Sequence, residues 1–156
     1  MISCYVMSFI TFLFLCAAFL QSIFRFSILS ADHVTFVILT SMVYLFSETL
    51  VIFFYVGTGV SIRDYTKDHK MDPSFHRRSI AIKRRVYPPL LYNMLFMIIV
   101  FILVGAVDTN RFPMWAYQML FFACIAHYVK VKVGQNTCFR DNTQIILDMA
   151  GIDKKV

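Results

Sequence analysis

No recognisable catalytic signature interrupts this chain. HExxH, GxSxG and the glycine-rich dinucleotide fingerprint are all missing, so zinc-protease, serine-hydrolase and Rossmann-type chemistries have no anchor in it. Cysteine is sparse. Cys4, Cys16, Cys124 and Cys138 include no CxxC pair, which argues against a zinc site or a disulfide framework. Buried thiols of this kind behave as small hydrophobes. No repeat of about 20–50 residues is evident, so an inverted-repeat transporter has no support. No charge precedes Arg25, so the first apolar run lacks the basic start of a secretory signal. It is also longer than the roughly 7–15 residues of a signal's apolar region. The polar segments are too short to fold an independent catalytic domain.

What is present is apolar sequence in long runs. The chain is 59% hydrophobic over 156 residues, against about 45–50% in soluble domains, and its mean hydropathy is +0.68. Runs of roughly 20 apolar residues cross a bilayer core about 30 Å thick. Four are read here, over about residues 2–23, 34–60, 88–107 and 112–131. In hydrocarbon the backbone must satisfy its own hydrogen bonds, so all four are expected to be helices despite their β-branched and aromatic content. The expected fold is an all-α, four-span membrane bundle. A basic connector over residues 61–87 joins the second and third spans, and a tail over residues 133–156 follows the fourth.

The charges suggest an orientation. Of the fifteen Lys and Arg, all but Arg25 and Arg111 lie in that connector or at and beyond the end of the fourth span. Excess Lys and Arg in short loops marks the cytoplasmic side. The connector, the tail and both termini are therefore expected in the cytoplasm of a bacterial inner membrane, or on the matrix or stroma side of an organelle inner membrane. Tyr87 and Trp115 fall at expected interfaces, Pro88 and Pro89 open the third span, and Asp108–Pro113 reads as a short turn.

Asp72-Pro73-Ser74 reads as a helix start. Phe75, Ser79, Ile82 and Val86 then share one face, while Arg77, Arg78, Lys83, Arg84 and Arg85 occupy much of the rest. This pattern predicts a short basic helix lying at lipid headgroups, although the topology rule alone accounts for the charges. Asp141 or Asn142 is expected to cap a short tail helix, about residues 142–150, ended by Gly151, with Ile145, Ile146 and Met149 as its apolar side. Nucleic acid is a poor partner: the pI of about 9.3 arises from topogenic charge, and no aromatic-basic stacking motif accompanies it.

One acid, Glu48, sits near the middle of the second span. Ser41, Tyr44, Glu48, Ile52, Tyr55 and Gly59 recur at helical spacing, a polar stripe that should face protein. Gln118 and Asn93 are its expected partners at comparable depth. With no cation expected nearby, burial favours the protonated acid. Glu48 is then either an interhelical hydrogen-bonding group or a carrier of protons, ions or contacts with a partner subunit. Gly57-Thr-Gly59 suggests close helix approach.

His33 and His127 are expected at opposite ends of their spans, too far apart to share one haem. Cys124 and His127 share a helix face but make only half a metal site. No metal or cofactor is expected within the chain beyond bound lipid; haem or quinone enters only if partner subunits share its ligands. The leading functional expectation is a non-catalytic accessory or anchoring subunit that binds other integral-membrane subunits and lipid. The alternatives are a small homo-oligomeric channel or proton-coupled carrier using Glu48, or a haem- or quinone-bearing redox subunit.

Overall fold

The computed structural model describes residues 1–27 and 31–151. They form four helices: α1 (Ile2–Phe24), α2 (His33–Asp68), α3 (Ser74–Asp108) and α4 (Met114–Met149). Each packs on its chain neighbour, and α1 packs on α4 to close the ring. α1 to α3 are each long and apolar enough to cross a membrane. α4 falls short of that measure, its apolar stretch diluted by Gln118, His127, Lys130 and Lys132.

The helices are longer than the apolar runs. At ~1.5 Å per residue, α2, α3 and α4 each extend about 50 Å, well beyond a hydrocarbon core of about 30 Å. The surplus all falls at one end, because it follows the apolar runs of α2 and α4 and precedes that of α3. The three helices continue there as a helical extension. Ile62, Ile82, Val86, Phe139 and Ile145 pack in its core, and Phe75 and Met149 pack against them.

Three expectations are corrected here. The segment from Ser74 does not lie separately at the headgroups. It is the first part of α3, and its apolar face (Ser79, Ile82 and Val86 buried, Phe75 half-buried) packs on protein. Pro88 and Pro89 do not open a helix but lie inside one. The short tail helix is not separate either: α4 runs unbroken through Asp141 and Asn142 to Met149. Alternating apolar and polar residues look like a break in sequence, but here they are the two faces of one helix.

The helix ends follow local rules. Asp72 Oδ1 accepts the Ser74 N–H at 2.8 Å, the expected cap at the start of α3. Gly151 has φ 68°, the left-handed conformation that ends α4 where the sequence places the stop. Lys154 and Lys155, part of the expected basic tail, lie outside the described residues.

Candidate functional site

α2 turns its polar stripe inward. Ser41, Tyr44, Glu48, Tyr55 and Gly59 are buried and Ile52 is half-buried, as the spacing predicts. α2 and α4 run parallel across the bundle in constant register. His33 meets Tyr117 and Glu48 meets Lys132, both pairs 84 residues apart. Tyr44 packs on Tyr128 and Tyr55 on Phe139 in the same register.

Glu48 is fully buried, and three side chains donate to it. Asn93 Nδ2 reaches Oε1 at 2.8 Å, while Lys132 Nζ at 3.0 Å and Gln135 Nε2 at 3.4 Å reach Oε2. Lys132 Nζ also donates to Gln135 Oε1 at 3.0 Å and lies 4.9 Å from the centre of the Tyr128 ring, a cation–π arrangement. Because the Asn93 amide nitrogen faces Glu48, its oxygen faces His127, and an amide oxygen can only accept. His127, 3.0 Å away through Nδ1, must therefore carry its proton there.

These groups form one layer across the bundle. On one side, Tyr44, Met97, Tyr128 and Leu15 belong to the larger apolar core. On the other, Val51, Leu90, Cys138 and Cys4 belong to a second core. Glu48, Asn93 and Lys132 fall between the two in sequence and in space. α1 joins the layer through Ser8, whose carbonyl accepts from Tyr128 at 2.9 Å.

The expectation of an acid without a cation is therefore overturned: Lys132 neutralises Glu48 through a salt bridge with Lys132 only 17% and Glu48 0% exposed. Sequence reading placed Lys132 at the end of the fourth span, among the topogenic charges, because a charge there ends the apolar run. It missed the parallel register that carries a long, flexible ammonium back to the acid. Of the two expected partners, Asn93 is correct. Gln118 instead donates to the Ser22 carbonyl at 3.0 Å, well removed along α4 from Lys132. Tyr44 donates to the Asn93 carbonyl at 3.2 Å and Tyr55 to the Gln135 carbonyl at 3.4 Å, so both brace the layer without touching the carboxylate. Gln135 was legible only once its helical spacing from Lys132 became meaningful.

The basic residues of the connector part company. Arg77 and Arg84 are exposed. Arg78 bonds Asp148 at 2.7 Å and Arg85 reaches Asp141 at 3.4 Å. Lys83 lies against Gly59, where a Cβ would collide with its tip and meet Ser79 Oγ at 3.2 Å. Gly59 thus leaves room for the flexible tip of Lys83, whereas a Cβ at Gly57 would meet nothing within 4 Å.

Cys124 is buried in the larger core and His127 is bonded to Asn93. Among the described residues no three His, Cys, Asp or Glu side chains cluster as metal ligands. His33 touches Tyr117, and His127 lies on the same helix about 15 Å further along at ~1.5 Å per residue. That is less than the sequence suggested, but still too far for one iron. At the end opposite the extension, a cavity of about 890 Å³ is lined by Gln21, Arg25, Asp32, His33, Asp108 and Arg111, among others.

Comparison with protein-family models, curated proteins and solved structures finds no match for this chain.

Proposed function

We propose that this chain is a four-span integral-membrane protein that serves as a non-catalytic, accessory or anchoring subunit of a larger membrane complex. Its helical extension and both termini then lie in the cytoplasm, or on the matrix or stroma side of an organelle membrane. The fourth crossing is supported by an outward stripe on α4, where Trp115, Met119, Phe122, Ala126, Val129 and Val133 are all exposed at spacings of three and four. That stripe would face lipid, while Gln118, His127 and Lys132 bond to protein groups and Lys130 alone of the polar residues diluting α4 is exposed. The orientation is supported by the cations gathered on the extension.

The observation that carries the subunit reading is a groove between α2 and α4. It has a volume of about 710 Å³ and is lined by Phe53, Phe54, Ile62, Tyr65, Ile146 and Met149. It begins in the apolar span and continues onto the extension, where water would otherwise meet Tyr65 and Ile146, 45% and 47% exposed. Exposed apolar surface in such a place marks an interaction site. An occupant that matches both halves is another membrane-spanning chain that continues past the bilayer. The closed polar layer supports the same reading: Glu48 is already neutralised and hydrogen-bonded, and it holds the four helices in one register. A slip of one turn would leave Glu48 or Lys132 unpaired in hydrocarbon, which is costly.

The test is the native mass of the particle carrying this chain after mild detergent extraction. A large particle with other proteins in fixed ratio is expected, and Ile146→Asp should release them without loss of helix. A small particle of this chain alone defeats the reading. The carrier alternative is supported by one observation, the string His127–Asn93–Glu48–Lys132. It predicts proton flux in vesicles that Glu48→Gln abolishes.

A further inference from the structure

The α3/α4 seam opens where Pro88 and Pro89 sit. Neither can donate an N–H to the carbonyl one turn back, so the Arg84 and Arg85 carbonyls lose their usual intrahelical donors. Opposite them, α4 carries Gly134, where a Cβ would meet nothing within 4 Å. The result is a cleft of about 410 Å³, lined among others by Arg85, Pro89, Tyr92, His127, Lys130 and Gly134. That volume lies within the roughly 300–1,000 Å³ of ordinary ligand pockets.

The cleft has two chemically different ends. Arg85 pairs across the seam with Asp141 on the extension, whereas Asn93, next to Tyr92, pairs with His127 towards the apolar slab. The cleft therefore runs from Arg85 on the extension to an aromatic end inside the bundle's apolar belt, where Lys130 stands one turn from His127 and its long side chain can reach back toward the headgroup level. Neither of its cations is held strongly. The Arg85 side chain is 69% exposed and its bond to Asp141 is long at 3.4 Å, and exposed pairs of this kind contribute little. Lys130 is exposed and has no carboxylate within salt-bridge distance among the described residues. Beyond the inner end, Tyr92 and Leu95 are 62% and 52% exposed on the face that would meet acyl chains.

We propose that this cleft binds the phosphate headgroup of an anionic phospholipid from the leaflet adjoining the helical extension, with Arg85 and Lys130 on the phosphate and an acyl chain passing Pro89 and Tyr92. This rests on the reading that the helices span a bilayer. Basic pockets between membrane helices on the positively charged side suit such headgroups. A zwitterionic lipid would bring its own cation against Arg85 and Lys130. A free phosphate would satisfy the basic end but leave the aromatic end in contact with water. The occupant also touches the polar layer, because His127 and Gln135 line the cleft and bond to Asn93 and Glu48 respectively. Lipid binding should therefore raise the thermal stability of the whole bundle.

The full chain, purified in a neutral detergent, is titrated with phosphatidylglycerol, phosphatidylcholine or inorganic phosphate and read by native mass spectrometry and thermal unfolding. One phosphatidylglycerol per chain should be retained, with a higher melting temperature. The double variant Arg85→Gln/Lys130→Gln should weaken retention by about tenfold or more, the loss of roughly one charge-assisted contact or more. Arg77→Gln/Arg84→Gln, which removes exposed cations of the same helix outside the cleft, should retain the lipid. Gly134→Leu fills the cleft without changing charge and should also lose it, with helix content confirming that each variant folds. Equal retention of phosphatidylcholine, equal loss in both charge variants, or inorganic phosphate binding as tightly as the lipid overturns the assignment. Alkaline extraction of native membranes separates the two readings. Release of the wild-type chain defeats the membrane-spanning premise, whereas a retained chain with no preference for phosphatidylglycerol defeats only the lipid site.

Discussion

Glu48 and Lys132 show how one residue's environment changes its meaning. Alone in hydrocarbon, either charge would be expensive. Together, with Asn93 and Gln135 filling the remaining hydrogen-bonding positions, they form a closed set. The value of such a pair shows on removing one member. Lys132→Met leaves a buried carboxylate with two amide donors and no countercharge, and should cost about 3–5 kcal/mol. The double variant Glu48→Gln/Lys132→Met removes both charges and should cost less than Lys132→Met alone, because the remaining amides still bond one another. Unfolding in detergent measures both, and simple additivity would remove the pair from its proposed role in holding register.

The extension is where the elements depart furthest from the apolar runs. Its joints are polar and exposed, and one of them titrates. Hydrogen bonds from Gln144 and from the Arg78 guanidinium hold the Asp148 carboxyl below the ordinary aspartate range. A carboxyl lowered in the folded state stabilises fully above its unfolded value of about 3.9, and that contribution is lost as pH falls through the lower folded value. The Asp148 contribution to the melting temperature should therefore be constant from neutral pH to about 5 and be lost below about 4. Asp148→Asn should flatten that part of the acid profile. Asp64 and Asp72 are lowered too, by Arg63 and by the Ser74 backbone N–H, so the readout is the difference between wild type and variant. Identical acid profiles would mean that the α3–α4 bond does not form in solution.

For the whole molecule the decisive quantity is how many helices cross. Single cysteines at Asn110, Asp72 and Ala150 report on the α3–α4 turn, the α2–α3 turn and the end of α4. In sealed vesicles of known orientation, Asn110→Cys should label from outside, and Asp72→Cys and Ala150→Cys only after permeabilisation. Labelling of Ala150→Cys from outside would leave α4 uncrossed and reverse the account of its exposed stripe.

Read as spans, the apolar runs require helices whatever the local propensity, because hydrocarbon offers the backbone no other hydrogen-bonding partner. They were enough to locate all four helices and to place the inward stripe of α2 and the stop at Gly151, since each depends on nearest neighbours along the chain. Helix length was not legible. Beyond the apolar slab, a helix with one face on protein and one in water has the composition of a polar connector, so α3 and α4 looked shorter than they are. The site was half legible: Glu48 and Asn93 stand out as polar residues in apolar surroundings, but Lys132 does not, because a charge at the end of a run reads as its boundary. Only the parallel register of α2 and α4 brings Lys132 and Gln135 to Glu48. Register comes from the packing of whole helix faces, which no local pattern contains.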